Sequence, residues 1–293
     1  MKAKFFSLLS FLMIFLSFQS CITDQENTLK DKTQNSSDKN HTISAKDAQI
    51  FEDEYLAHNY RILSDSRSAR GLSSQESRQV IYPIEVLEDY VHFIKQRAGE
   101  NAMIEINLGQ YPEGHLIDDR QNEEYEGYQT VFLNAHKGTE EGDSTAVEMI
   151  PALNHGSLIP PSIIISDDPG DAGESFEGYL ITSPAAKMLY DTYTNTNEKI
   201  LNENGVEVQR TYLYSIQALE SYFAYVRSEA RRTGNENVNV IINIGQDPVS
   251  TATAGKNVQH GNQRIYFTAA PKNFDVTSKK VNPLKNLDVL VSH

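Results

Sequence analysis

The chain has 293 residues, 39% of them hydrophobic, with 26 basic against 40 acidic side chains and a formal net charge of −14. That is enough apolar material to core one large or two modest domains. The charge argues against a nucleic-acid partner, which needs Lys and Arg in excess to neutralise phosphates, and a single cysteine rules out a disulfide framework.

Lys2 and Lys4 precede the apolar run FFSLLSFLMIFLSF, which ends close to Cys21 in SFQSC. A charged start, a short apolar stretch and a small-residue end read as a signal peptide over residues 1–20, about five residues short of a bilayer-spanning helix. SFQSC resembles a lipobox, of the looser kind familiar in Bacteroidota, with Phe18 and Gln19 where a Leu-like and a small residue are usual. The resemblance implies that Cys21 is acylated and becomes the mature N-terminus. The alternative is an ordinary secretory cleavage that leaves a free thiol near the new end. Loss of residues 1–20, which hold two lysines and no acid, lowers the formal charge from −14 by two, to −16. Anionic lipid then repels the body, and the membrane partner is the acylated Cys21 alone.

From Ile22 to Thr42 the sequence is polar and without periodicity, which makes residues 21–42 a disordered tether. As a coil it spans on the order of 25 Å. Asp24 and Glu26 are similar to the surface-export signal of some Bacteroidota lipoproteins, so both the periplasmic face of the outer membrane and the cell surface stay open as addresses.

The rest of the chain repeats itself. Residues 43–63 align with 181–201 at a constant offset of 138, pairing Ala48 with Ala186, Tyr55 with Tyr193 and Asn59 with Asn197. IYPIEVLEDYVHFI from Ile81 aligns with LYSIQALESYFAYV from Leu213, pairing Tyr82 with Tyr214, Glu88 with Glu220 and Tyr90 with Tyr222. IEINLGQYP from Ile104 returns as VIINIGQDP from Val240, QTVFLNAHK as QRIYFTAAPK, and IPALNHGSL from Ile150 is set beside NPLKNLDVL from Asn282. The expected organisation is an internal duplication: repeats over 43–165 and 179–293, joined by an acidic linker containing Gly and Pro over 166–178.

Within each copy, Ala48, Phe51 and Tyr55 (Ala185, Leu189 and Tyr193 in the second) recur at helical spacing, with Ser44 or Ser183 to cap the start. Val86, Tyr90, Phe93 and Ile94, with Ala218, Tyr222, Tyr225 and Val226 as counterparts, mark an amphipathic helix. Ile104, Ile106 and Leu108 alternate with Glu105, Asn107 and Gly109, which is a strand with one buried face. After a long loop, TVFLNA or RIYFTA supplies another. Two helices followed by two strands, written twice, predict an α+β fold with helices packed on one face of a largely antiparallel sheet, arranged as two similar lobes.

No phosphate loop, HExxH, GxSxG or cysteine nucleophile is present, so no catalytic residue and no cofactor is assigned. His115, Asp118 and Asp119 in HLIDD offer imidazole and oxygen at short spacing, but a solvated loop explains them better than a metal does. DST at Asp143–Thr145 is similar to an O-glycosylation acceptor of exported Bacteroidota proteins. The polar residues shared by both copies are mostly amides, which bind through hydrogen bonds and make poor acids or nucleophiles. Asn107, Gln110, Asn243 and Gln246 are therefore the candidate ligand-binding residues, with satisfaction of loop backbone as their competing role.

The lipobox, tether, duplication and LNHGSLIPP together resemble a group of uncharacterised Bacteroidota envelope lipoproteins, a resemblance that brings no known activity. The expectation is a lipid-anchored binding or scaffolding protein for an unidentified protein or glycan ligand. The alternative is an envelope hydrolase acting on a polymer in a cleft between lobes.

Overall fold

The computed structural model describes residues 41–137, 145–146, 150–160, 175–248, 261–272 and 289–291. The expected signal peptide, Cys21 and the tether to Asn40 lie outside them, as do residues 166–174 of the expected linker and Asp143 and Ser144 of the DST triplet. No helix among the described residues is long and apolar enough to cross a membrane.

In chain order the elements are β1 (His41–Ile43), α1 (Ala45–Ala57), α2 (Asn59–Ala69), β2 (Gln79–Pro83), α3 (Ile84–Ala98), β3 (Met103–Gln110), β4 (Gln129–Lys137), β5 (Thr145–Ala146), β6 (Ala152–Leu153) and β7 (Ser157–Ile159). The second half adds β8 (Leu180–Ile181), α4 (Ser183–Tyr193), α5 (Lys199–Glu203), β9 (Thr211–Ser215), α6 (Ile216–Arg232), β10 (Val238–Gln246), β11 (Gln263–Pro271) and β12 (Val289–Val291). His41 and Thr42, expected in the tether, pair instead with Val291 and Leu290, and the end of the expected linker forms a 3₁₀ turn over Phe176–Tyr179.

The fold is α+β, as the pattern implied, but it has two antiparallel sheets rather than one. The first sheet runs β1-β12-β11-β10-β2-β7 and the second β8-β6-β4-β3-β9, with β5 added to β4. The expected lobes are not separate. β2 of the first half pairs with β10 of the second, Val240 facing Tyr82, while β9 of the second half pairs with β3 of the first, Ile104 facing Tyr214. Residues 40–293 form one compact unit. The ladder continues through the same positions on both sides, since Leu108 N–H donates to Arg210 O and Ile244 N–H to Arg78 O, each at 2.9 Å.

Helices cover both faces of each sheet, not one. On the inner side, Tyr90 of α3 donates its hydroxyl to Leu133 O at 2.8 Å and Tyr222 of α6 to Phe267 O at 3.0 Å. The two inner faces meet where Tyr214 stands edge-on to Phe267, ring centroids 5.1 Å apart. α3 and α6 are tied by two reciprocal ion pairs, Lys95 with Glu220 at 3.2 Å and Arg227 with Glu88 at 2.7 Å. Partly exposed pairs of this kind contribute at most about 1 kcal/mol each, so they set alignment more than stability.

On the outer faces α1 lies over β10 and α4 over β3. α1 is capped by Ser44, whose hydroxyl accepts from Asp47 N–H at 3.2 Å. α4 is capped by Thr182, not Ser183, accepting from Ala185 N–H at 3.3 Å. Pro184 follows in the first turn, where its missing N–H costs nothing. The first-half helix breaks at His58 (φ −123°, ψ −86°), whereas the second half stays helical through a π turn over Thr194–Glu198.

The glycine in each repeated phrase is explained by helix-on-strand approach. A Cβ on Gly245 would lie 2.9 Å from Phe51 Cβ and 2.8 Å from the Tyr266 ring, and one on Gly109 would lie 3.1 Å from both Leu189 Cβ and the Phe132 ring. Gly245→Ala is expected to lower stability by about 1–3 kcal/mol through overpacking, with a smaller loss for Gly109→Ala, as read from denaturant midpoints. Equal tolerance of alanine at both sites would contradict the close approach.

The last sequence block aligns differently from expectation. Leu153 faces Leu133 and Leu290 faces Phe267, so Leu290 is the counterpart of Leu153 rather than of Leu158. Short apolar triplets carry too little pattern to fix register by themselves.

Candidate functional site

A cleft of about 730 Å³ opens on the outer face of the second sheet, beneath α4. Its floor is the odd-numbered side of β3 with the adjoining face of β4, and its wall is the first two turns of the helix. The polar lining is Glu105, Asn107, Asn134, Lys187, Tyr190 and Asp191.

Asn107 is the most informative of these. It is only 2% exposed, and its Oδ1 accepts from Thr211 Oγ1 at 2.9 Å, yet its Nδ2 has no hydrogen-bond partner among the described residues. The aligned residue Asn243 is fully used: Nδ2 donates to Ile241 O at 3.1 Å, Tyr266 O at 3.3 Å and Thr268 Oγ1 at 2.9 Å, and Oδ1 accepts from Gln79 Nε2 at 2.9 Å. A buried donor left unpaired costs about 1–3 kcal/mol. Asn107 therefore holds a donor ready for an acceptor entering the cleft.

The charged groups around it are paired off. Glu105 contacts His136 Nε2, leaving His136 Nδ1 buried and without a partner among the described residues. Lys187 and Asp191 pair one helical turn apart. Tyr190 lies 5.3 Å beneath the Arg210 guanidinium, which also pairs with Glu198 at 3.5 Å. On the first sheet the places of Glu105 and His136 are taken by Ile241 and Ala270, which are packed in an apolar cluster with Ile81 and Ile159. The cleft thus arises where the two halves differ.

The other three expected ligand-binding residues serve the fold, and the four do not converge. Gln110 Nε2 donates to Gly127 O at 3.0 Å, and its Oε1 accepts from Thr196 Oγ1. Gln246 Oε1 accepts from Asn59 N–H at 3.4 Å. Satisfying loop and helix backbone, the competing role, describes both better, and Asn243 is consumed within its own sheet. Of the four, only Asn107 lines the cleft.

The HLIDD loop is placed away from the cleft. His115 and Asp119 are exposed, while Asp118 meets His155 at 3.0 Å and Arg120 at 3.4 Å. Arg120 clamps the loop to the chain before α4, donating to Glu177 O and Gly178 O at 3.3 and 2.9 Å. Burial would raise the Asp118 carboxyl, but His155 and Arg120 together outweigh it and hold it below its ordinary value. Burial depresses His155 more than Asp118 raises it, so the ring is neutral near pH 7 and donates to the carboxylate. Among the described residues no three His, Cys, Asp or Glu side chains gather into a metal-binding group.

Sequence reasoning missed Glu105, His136, Lys187, Tyr190 and Asp191. The signal that could have found them is departure from the repeat, since Glu105 aligns with Ile241 and His136 with Ala270. No protein-family model, curated protein or solved structure matches this chain.

Proposed function

We propose that this chain is a lipid-anchored protein of the outer membrane, facing the periplasm or the cell surface, in which two duplicated α+β units form a non-catalytic binding or scaffolding body. Acylation of Cys21 and the polar tether to Asn40 supply the anchor, and kinship with uncharacterised Bacteroidota envelope lipoproteins is part of the same reading. The duplication is supported by the matching strand orders of the two sheets and by hydrogen bonds that recur at aligned positions, Tyr90 to Leu133 and Tyr222 to Phe267. One half keeps the outer face of its sheet packed, and the other opens the cleft.

The observation that carries the binding reading is the orphaned Nδ2 of Asn107, set against the fully bonded Asn243. The ligand is a neutral protein segment or glycan that presents a carbonyl or hydroxyl oxygen, because every charge lining the cleft already has a partner. A calorimetric screen of envelope glycans and peptides against wild type and Asn107→Leu tests it. Any ligand found is expected to lose about tenfold or more in affinity on that substitution, the loss of one buried hydrogen bond, while Asn243→Leu should alter stability and not affinity. Ligands bound equally by wild type and Asn107→Leu would place the site elsewhere. The anchor has a separate test: Cys21→Ala should move the protein to the soluble envelope fraction.

A hydrolase is the second reading, favoured by one arrangement, the Glu105–His136 contact beside the cleft. Turnover of an envelope polymer that is abolished by both Glu105→Gln and His136→Asn would establish it over simple binding.

A further inference from the structure

The two sheets end differently. In the first, the outer edge of β2 is closed by β7, with Gln79 facing Ile159, Val80 facing Leu158 and Ile81 facing Ser157. In the second, β9 holds the place of β2, and no described residue pairs with its outer edge. Arg210 O is directed at β3, where it accepts from Leu108 N–H. By strand alternation the N–H and C=O groups of Thr211, Leu213 and Ser215 therefore point outward. The exposed side chain of Gln209 folds back to donate to Thr211 O at 3.0 Å, a single amide standing in for a missing strand. Leu213 is 38% exposed, one of three large apolar side chains exposed among the described residues. A free, uncharged edge with an exposed leucine is a template for strand addition.

We propose that β9 is the docking edge for a second copy of this chain, which joins antiparallel about Leu213 to make one sheet continuous across a two-fold axis. The strand reads Thr-Tyr-Leu-Tyr-Ser, chemically the same in both directions. An antiparallel copy therefore places Leu213 against Leu213 as a hydrogen-bonded pair, Thr211 against Ser215, and Tyr212 against Tyr214. Hydroxyl pairs and large apolar or aromatic pairs are the combinations that stabilise cross-strand contact, and a two-fold interface requires this self-complementarity. β9 itself carries no charge, so the repulsion between two bodies of net charge −14 acts across the faces rather than at the strand. Salt screens such repulsion, which makes stronger association at high salt the mark of this interface. An acidic chain capturing a basic peptide on the same edge would show the opposite dependence.

Sedimentation velocity of the full chain in a non-ionic detergent decides the matter. Wild type is expected to shift from one chain towards two as its concentration rises to about 0.1 mM, and further as salt is raised to about 0.5 M. Leu213→Lys should weaken association at least tenfold without changing the thermal unfolding midpoint, and Leu213→Thr, which keeps strand propensity, should weaken it less. A wild type that stays monomeric under all these conditions overturns the proposal. So does a Leu213→Lys protein that associates as tightly as wild type, or association that fades with salt. Asn107→Leu should leave dimerisation intact, so failure here and failure of the cleft reading are told apart.

Discussion

Arg67→Met is expected to destabilise the fold by about 3–5 kcal/mol, the cost of leaving a buried charge without its partner, measured as a drop in the denaturant midpoint at unchanged slope. Arg67 is 1% exposed and Glu76 is fully buried. The guanidinium lies 3.8 Å from the Glu76 carboxylate, donates to Ser73 O at 3.0 Å and to Gly127 O, and stacks 3.9 Å over the Tyr128 ring. It thereby ties α2 to the segment before β2 and to the end of the loop between β3 and β4. Glu76 in turn accepts from the N–H groups of Ser77 and Gln129 at 2.8 and 2.9 Å, and from Asn197 Nδ2 at 3.3 Å. Burial raises its pKa, and Arg67 is the largest opposing influence. Methionine removes that influence and three contacts at once. Glu76→Gln in the same chain should recover part of the loss, because glutamine keeps an acceptor for both backbone donors and has no charge to strand. A coupling energy of at least about 0.5 kcal/mol is expected between the two sites. Strict additivity would show that the pair does not act as a unit.

This pair also shows what the sequence could and could not disclose. The amphipathic helices and the long strands β3, β4, β10 and β11 were legible because their apolar periods are strong and each was written twice. β2 and β9 were not. Each is five residues long and runs straight into a helix, so VIYPIEV reads as one apolar run with Pro83 at the junction and no turn between. The exchange of strands between halves was out of reach for a deeper reason. When two segments share one pattern, β2 satisfies the edge of β3 and the edge of β10 equally well in hydrophobicity and alternation, so pattern cannot choose between them. Nor could it rank the amides. Asn107 and Asn243 are identical in sequence context, and they differ only because Asn134 stands where the other sheet has Thr268, which accepts from Asn243. Looking for what the halves share led to residues that hold the fold, while the cleft is lined where they diverge.

Severing the chain between residues 160 and 175 is expected to leave neither fragment able to fold as a monomer. Fragment 41–160 keeps β3 and β4 but loses β9 from the edge they build towards, and its β1 and β2 have no first sheet to join, since β10, β11 and β12 are on the other piece. The same holds in reverse for residues 175–293. α1 would lose β10 beneath it and α4 would lose β3, exposing Phe51 and Leu189 at the glycine contacts. Mixing the fragments should restore a cooperative transition, because every missing partner is supplied by the other piece. The cost of the cut is largely the loss of tethering. An effective concentration of the order of 1 mM within one chain becomes a micromolar concentration of fragments, a factor of about a thousand, or about 4 kcal/mol. The transition of the mixture should therefore move with fragment concentration while that of the intact chain does not. Proposed common ancestry of the halves adds a sharper consequence: at high concentration fragment 41–160 alone should form a symmetric dimer, its β2 lying where β9 lies in the intact protein. A fragment that unfolds cooperatively as a monomer would mean that each half carries its own complete sheet, and the interleaved strand order allows no such sheet.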